Sequence, residues 1–307
     1  MNHVPDKSRN IMAVTAVAAP SRTRLAAELG DILSRAGLQA GEVRQLCDGA
    51  PWQACEYLCE ADGEGAAEAV RDAVKGLDAD VAVLPAAGRR KRLLISDMDS
   101  TIIGQECLDE LAAYAGLKAE VSAITERAMR GELDFEGALT TRVAMLKDLP
   151  LGALEAAYHE RIHLTPGARV LTATMRAHGA YLVLVSGGFT FFTSRVADAA
   201  GFDAHRGNTL IDDGTVLTGE VGRPILGREA KLDALDETAA ARGLTRADAL
   251  ALGDGANDLD MIRAAGLGIA YHAKPVVAAQ AHAAIVHTDL TAALFFQGYS
   301  ADAFAPV

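Results

Sequence analysis

Apolar and polar positions follow two periods along this chain. The pattern reads as strands over Met12–Ala18, Glu42–Cys47, Trp52–Glu60 and Asp80–Leu84, with period-two geometry in the third. Apolar spacing of three and four marks helices over Arg22–Ala36 and Gly65–Lys75. The predicted order is βαββαβ. In the third strand, Gln53, Cys55, Tyr57 and Cys59 fall on one face, and Trp52, Ala54, Glu56, Leu58 and Glu60 on the other.

A basic run, Gly88-Arg89-Arg90-Lys91-Arg92, follows. It is a few residues long, stands in an acidic protein, and runs into the apolar strand Leu93-Leu94-Ile95, so a solvated linker is expected there. Helical spacing then covers Gln105–Ala115, Lys118–Arg130, Phe135–Lys147 and Leu151–His163, punctuated by Gly116, Gly131 and Pro150. Strand and helix alternate afterwards. Helices are expected over Gly167–Ala177, Thr190–Ala200, Arg228–Arg242, Asp258–Ala265 and Val276–Gln280. Strands are expected over Tyr181–Val185, Ala249–Leu252, Gly268–Ala270 and Ala284–Val286, with a hairpin around Asp212-Asp213-Gly214.

Such alternation with short turns predicts a parallel sheet covered on both faces. The expected class is α/β: a Rossmann-like doubly wound parallel sheet with a helical cap, about 104–165, inserted after its first strand. The expected domains are 1–88, a ferredoxin-like unit, and 89–307, the sheet with its cap.

Composition narrows the function classes. With 307 residues, half of them apolar, the chain can bury a large core. Its longest apolar run, around Tyr181–Val185, is far shorter than the roughly 20 residues that cross a bilayer. The polar start Met1–Asn10 lacks secretory-signal features, which points to the cytoplasm. Cys47, Cys55, Cys59 and Cys107 form no CxxC pair and are expected as buried thiols. A net charge of −12 argues against nucleic-acid binding. It does not exclude an anionic substrate, because surface charge is screened beyond about 8 Å at physiological salt.

Candidate chemistry gathers at strand ends, where doubly wound sheets bind ligands. Asp97-Met98-Asp99-Ser100-Thr101 follows Leu93-Leu94-Ile95, and its two carboxylates can divide nucleophile and proton-transfer roles. Ser186-Gly187-Gly188-Phe189 follows Tyr181–Val185 and offers a hydroxyl and backbone N–H groups to a phosphate. Gly253-Asp254-Gly255-Ala256-Asn257-Asp258 follows Ala249–Leu252 and supplies oxygen ligands suited to Mg²⁺. Lys231 can neutralise phosphoryl oxygens. Any one of these segments is a common turn; all of them, in order and each at a strand end, form a site.

Within the cap, Phe135, Leu139, Arg142 and Leu146 share one stripe, so Arg142 either meets a partner on the inward face or snorkels to water. Glu106 is by pattern a first-turn glutamate favoured by the helix dipole. His159-Glu160-Arg161-Ile162-His163 matches HExxH and is the rival metal site, for zinc. It shows no third ligand, and its second histidine abuts Leu164-Thr165-Pro166.

The strand-end segments and Lys231 resemble the ordered motifs of haloacid dehalogenase-like phosphatases. The helical insert, Gly222–Gly227 and Ala270–Pro275 are similar to the members of that family that hydrolyse phosphoserine. The resemblance implies Asp97 as nucleophile and Asp99 as general acid and base. It implies Mg²⁺ on Asp97, the Asp99 carbonyl and Asp254, with Asp258 in support. Ser186, Gly187, Lys231 and Asn257 would hold the phosphate end. Glu106 would meet the substrate ammonium and Arg142 its carboxylate, with Met129 and Phe135 as apolar walls. The implied reaction is hydrolysis of O-phospho-L-serine, closing serine biosynthesis. Action on phosphothreonine or phosphohomoserine, or phosphoryl transfer, is the alternative. The first 88 residues resemble an ACT-type module, which implies a homodimer contact or a regulatory role.

Overall fold

The computed structural model describes residues 11–60, 65–129, 132 and 134–307. The predicted amino-terminal segment Met1–Asn10 lies outside them. The first unit runs β1 (Ile11–Ala18), α1 (Leu25–Arg35), β2 (Arg44–Cys47), β3 (Gln53–Glu60), α2 (Ala66–Val74) and β4 (Asp80–Pro85). These strands form an antiparallel sheet in the order β2-β3-β1-β4. Leu25, Leu29 and Leu33 place one face of α1 against Val14, Ala16, Cys55 and Cys59, so the Cys55 and Cys59 face of β3 packs under the helices.

The second unit starts at β5 (Leu93–Ser96). It continues through α3 (Cys107–Tyr114), α4 (Lys118–Met129), α5 (Phe135–Ala144) and α6 (Gly152–Arg161) to α7 (Ala168–Ala177) and β6 (Tyr181–Phe189). Then come α8 (Thr190–Ala200), β7 (Ala204–Asn208), the hairpin β8 (Leu210–Asp212) and β9 (Leu217–Val221), and α9 (Glu229–Ala241). The chain finishes with β10 (Ala249–Gly253), α10 (Leu259–Ala264), β11 (Leu267–Tyr271), α11 (Pro275–Ala278), β12 (Ala283–Ile285) and α12 (Ala292–Phe296).

Among the described residues, six of these strands form one parallel sheet, ordered β12-β11-β10-β5-β6-β7. β5 lies inside it and is buried along its length, as expected of a strand covered on both faces. Leu94, Leu182 and Leu184 face α7, α8 and α12; Leu93, Ile95, Val183 and Val185 face α9 and α10. The helices α3–α6 occupy the predicted insertion. Two elements were not anticipated, β7 and α12. β7 reads Ala-His-Arg-Gly-Asn and carries no apolar alternation. α12 is a short, wholly buried run, Ala-Ala-Leu-Phe-Phe, with no polar face to reveal a period. No helix among the described residues is long and apolar enough to cross a membrane.

The basic run is not a solvated linker. Arg89 forms a two-pronged ion pair with buried Glu56, its second contact at 2.8 Å, and Glu56 also accepts from Thr15 Oγ1 at 3.1 Å. Lys91 is buried and donates to the Gly88 and Ala247 carbonyls, each at 2.8 Å. Arg90 lies over the Tyr299 ring, 4.4 Å from its centroid. On the other side of the joint, the Asp80 carboxylate accepts from the backbone of Val286 (2.7 Å), His287 (3.0 Å) and Thr288 (2.9 Å). Apolar contact completes the joint: Val17, Ala54, Ala82 and Leu84 share a core with Ala292–Phe296 of α12. The four cysteines are buried and unpaired.

Glu56→Gln removes the anion on which Arg89, Thr15 and, at 3.4 Å, Arg44 converge, and leaves Arg89 without its charge partner. Loss of one member of a buried pair costs about 3 kcal/mol. Urea unfolding of this variant therefore shows that deficit, and a change below about 1 kcal/mol contradicts the assignment of Glu56 as the centre of the joint.

Candidate active site

Three adjacent strand ends build the site. β10 and β6 flank β5 in parallel register, so Ser96 pairs with Leu252 on one side and Leu184 on the other. Asp97, Ser186 and Asp254 therefore leave the sheet at the same edge. The Asp97 backbone N–H extends the ladder by one step, donating to Leu252 O at 2.9 Å.

Beyond Asp97 the chain turns tightly. Met98 O accepts from the backbone of Thr101, Ile102 and Ile103. Ser100 takes a left-handed conformation, with φ of 54°, and its hydroxyl donates to Glu106 Oε1 at 2.7 Å. That turn aims Asp99 at two donors: the Cys107 backbone N–H at the start of α3 (2.9 Å, to Oδ1) and the Ser186 hydroxyl (3.0 Å, to Oδ2). Ser186 Oγ in turn accepts from the Gly188 N–H at 2.8 Å. Burial raises the Asp99 pKa, while the Cys107 and Ser186 hydrogen bonds oppose the rise.

Lys231, on the first turn of α9, is the centre of charge. Its Nζ lies 2.8 Å from Asp97 Oδ1 and 2.5 Å from Asp258 Oδ1, and it is 3% exposed. Burial by itself would lower the ammonium pKa; Asp97 and Asp258 override it and raise it. The other oxygen of Asp258 accepts from the Gly255 N–H at 2.9 Å. Gly253 makes this approach feasible: a methyl group there would sit 2.4 Å from Asp258 Cγ. Asp254 accepts from the Thr101 hydroxyl at 3.3 Å.

Among the described residues, Asp97, Asp254 and Asp258 form the cluster whose carboxylate oxygens come within 4.8 Å of one another. One lysine serves three carboxylates. Burial, then Asp258, push the Asp97 carboxyl well above the usual carboxylate range against the pull of Lys231, and burial and Asp258 raise Asp254 to about 6. This surplus of crowded anionic oxygen fits a hard divalent cation. Asn257 is exposed beside the cluster, its Oδ1 close to Gly255.

The cap closes the crevice from above. Phe135, the first residue of α5, lies against both Gly187 and Gly227: methyl groups at those glycines would approach its ring to 3.1 and 3.7 Å. Asp134 starts α5 by accepting from the Gly137 N–H at 2.6 Å. Arg142 is half-buried, donating to Ala138 O (3.2 Å) and Thr125 Oγ1 (3.4 Å), in the field of Asp109 and Glu106. Desolvation, then the charge of Asp99, push the Glu106 carboxyl up to about 7, although part of the residue is open to the crevice. Met129 ends α4, and its side chain lies outside the described residues.

His159 and His163 build nothing comparable. The His159 side chain is 71% exposed, 3.8 Å from Glu155, while Glu160 accepts from the Tyr114 hydroxyl at 2.6 Å. Asn208 of β7 was not anticipated, yet its amide touches Gly187 O at 2.8 Å. A polar residue in an unrecognised strand gave no signal to find it by.

The chain is similar to known proteins along most of its length. A family model described as haloacid dehalogenase-like hydrolase matches residues 94–263. A phosphoserine phosphatase of Polaromonas is 48% identical over 199 residues, covering 63% of this chain and 84% of that protein. One from Streptococcus thermophilus is 47% identical over 201 residues, covering 65% of this chain and 93% of that protein. An unliganded probable phosphoserine phosphatase from Vibrio cholerae superposes with a TM-score of 0.77 at 34% identity, over 96% of this chain and 88% of that one. Because the family model matches more than half of its length, in the segment that carries Asp97, Ser186, Lys231 and Asp254, the chain belongs to the haloacid dehalogenase-like hydrolase family.

Proposed function

We propose that this chain hydrolyses O-phospho-L-serine to L-serine and phosphate. The observation that carries the reading is the buried Asp97–Lys231–Asp258 array beside Asp254 and the Asp99–Ser186 contact. The phosphoserine phosphatases that are 47–48% identical to it over 199–201 aligned residues supply the substrate class.

An oxygen of Asp97 attacks phosphorus, and the bond to the serine oxygen breaks as the aspartyl-phosphate forms. Asp99 carries the proton: held by Cys107 and Ser186, it donates to the leaving serine oxygen. It then accepts a proton from the water that attacks the aspartyl-phosphate, which frees phosphate and restores Asp97. Lys231 and the Ser186–Gly187 loop hold the phosphoryl oxygens, and Asn257 borders the same end. Mg²⁺ fits the anionic cluster and would be held by Asp97, the Asp99 carbonyl and Asp254, with Asp258 in support through Lys231. When bound, it supplies positive charge against the phosphoryl oxygens.

Arg142 takes the substrate carboxylate and Glu106 its ammonium; both sit in one electrostatic neighbourhood. Phe135 covers the phosphate loop and excludes water, and Met129 is assigned to the same wall by the family resemblance alone. The N-terminal unit is an ACT-type ferredoxin-like module, spanning 1–88, and the cap about 104–165. One face of that module's sheet packs on α12, and β2, the end strand of the sheet among the described residues, is the edge through which a homodimer would form.

The direct test is phosphate release from phosphoserine with Mg²⁺; folded protein without turnover refutes the reading. Asp97→Asn abolishes release while circular dichroism stays native. Arg142→Ala loses a charge-assisted contact of about 2–3 kcal/mol, so kcat/KM for phosphoserine falls roughly 30- to 150-fold. An equal fall for a phosphate monoester lacking the carboxylate would remove Arg142 from that role. Chelation with EDTA stops turnover and added Mg²⁺ restores it; undiminished turnover in EDTA would exclude the cation.

A further inference from the structure

The phosphate loop is a departure from the sheet. β6 and β7 pair in parallel from Val183 with Ala204 to Val185 with Arg206, and the register then jumps to Phe189 with Asn208. Ser186, Gly187 and Gly188 leave the ladder between those points, which lets them reach the site. A carbonyl that leaves a ladder inside a protein needs another donor.

Asn208 is that donor. It is 2% exposed, and its Nδ2 donates to Gly187 O at 2.8 Å. The same nitrogen donates to Leu226 O at 3.2 Å, and Oδ1 accepts from the Leu226 N–H at 2.7 Å. Leu226 stands just ahead of α9, whose first turn carries Lys231. One planar amide therefore joins the Ser186–Gly187 loop to the segment that delivers Lys231. Among neutral side chains a carboxamide alone offers two N–H donors and a carbonyl acceptor in one plane. A carboxylate in its place would present negative charge to two carbonyl oxygens.

We propose that Asn208 is a positioning residue for the phosphoryl group, setting the distance between the phosphate loop and Lys231 without touching substrate. The inference rests on the phosphatase reading and deepens it by naming what holds its two phosphate-binding arms in register.

Two variants test it. Asn208→Asp is isosteric, and Asn208→Thr keeps a residue that favours strands while removing the amide. Expected results are at least a tenfold loss of affinity for inorganic phosphate, measured by calorimetry with Mg²⁺, and at least a hundredfold loss in kcat/KM for phosphoserine near pH 8. In Asn208→Asp the deficit relative to the parent shrinks as pH falls, because the protonated carboxyl regains a donor for Gly187 O; in Asn208→Thr it does not. A merely structural role would lower thermal stability without this pH signature. Phosphate affinity within twofold of the parent in both variants, or a pH-independent deficit in Asn208→Asp, overturns the proposal. Direct phosphate binding keeps the two questions apart: a parent that binds phosphate but releases none from phosphoserine indicts the substrate reading and leaves Asn208 testable.

Discussion

A lysine held out of water between two carboxylates is the constraint around which the rest of the site is arranged. Moving an ammonium into a protein interior is costly unless it is paired, and Lys231 is paired twice, with Asp97 at 2.8 Å and Asp258 at 2.5 Å. The pairing dictates local sequence. Asp258 reaches the lysine because Gly253 has no side chain in its way, and it keeps its second oxygen on the Gly255 N–H. Asp97 is presented because β5 runs between β6 and β10 and ends one residue before it. The balance is still anionic, and that imbalance gives the site its demand for a cation.

The site was legible in the sequence to the extent that its chemistry sits on strand ends. Leu93–Ile95, Tyr181–Val185 and Ala249–Leu252 are apolar runs bounded by glycine and aspartate, and such boundaries reveal both a buried strand and the turn that follows. Side chains that act through tertiary contact were harder. Arg142 stood on an apolar stripe with two open readings, and only the fold sets it near Glu106 and Thr125. Asn208 lay in a strand without alternation, so neither its element nor its partners could be inferred. Helix ends missed by one to three residues, as at Ala144 and Arg161, where frayed turns obey local capping more than periodicity.

The joint between the two sheets shows a different failure. Five residues from Gly88 to Arg92 look like a soluble tether by composition, and each of their long side chains has a defined place. Arg89 finds buried Glu56, Lys91 finds two carbonyls, Arg90 finds the Tyr299 ring, and Arg92 pairs with Asp248 at 2.9 Å. Composition reports solvation on average; it cannot report a buried acid 33 residues upstream, where Glu56 waits in β3. The charge on Glu56 was visible as an exception on its strand face, and such exceptions are where tertiary partners belong.

The packing of α12 against β1 also bears on how the protein is made. The face of the first strand is covered by the short helix α12, and 274 positions separate Ala18 from Ala292. Ribosomes add about 5–20 residues per second. Val17, Ala54 and Leu84 therefore wait about 10–55 s for Leu294 and its neighbours to be added. During that interval the N-terminal sheet can cover its helical side alone. A nascent chain of this design carries an uncovered apolar plate until α12 has been made.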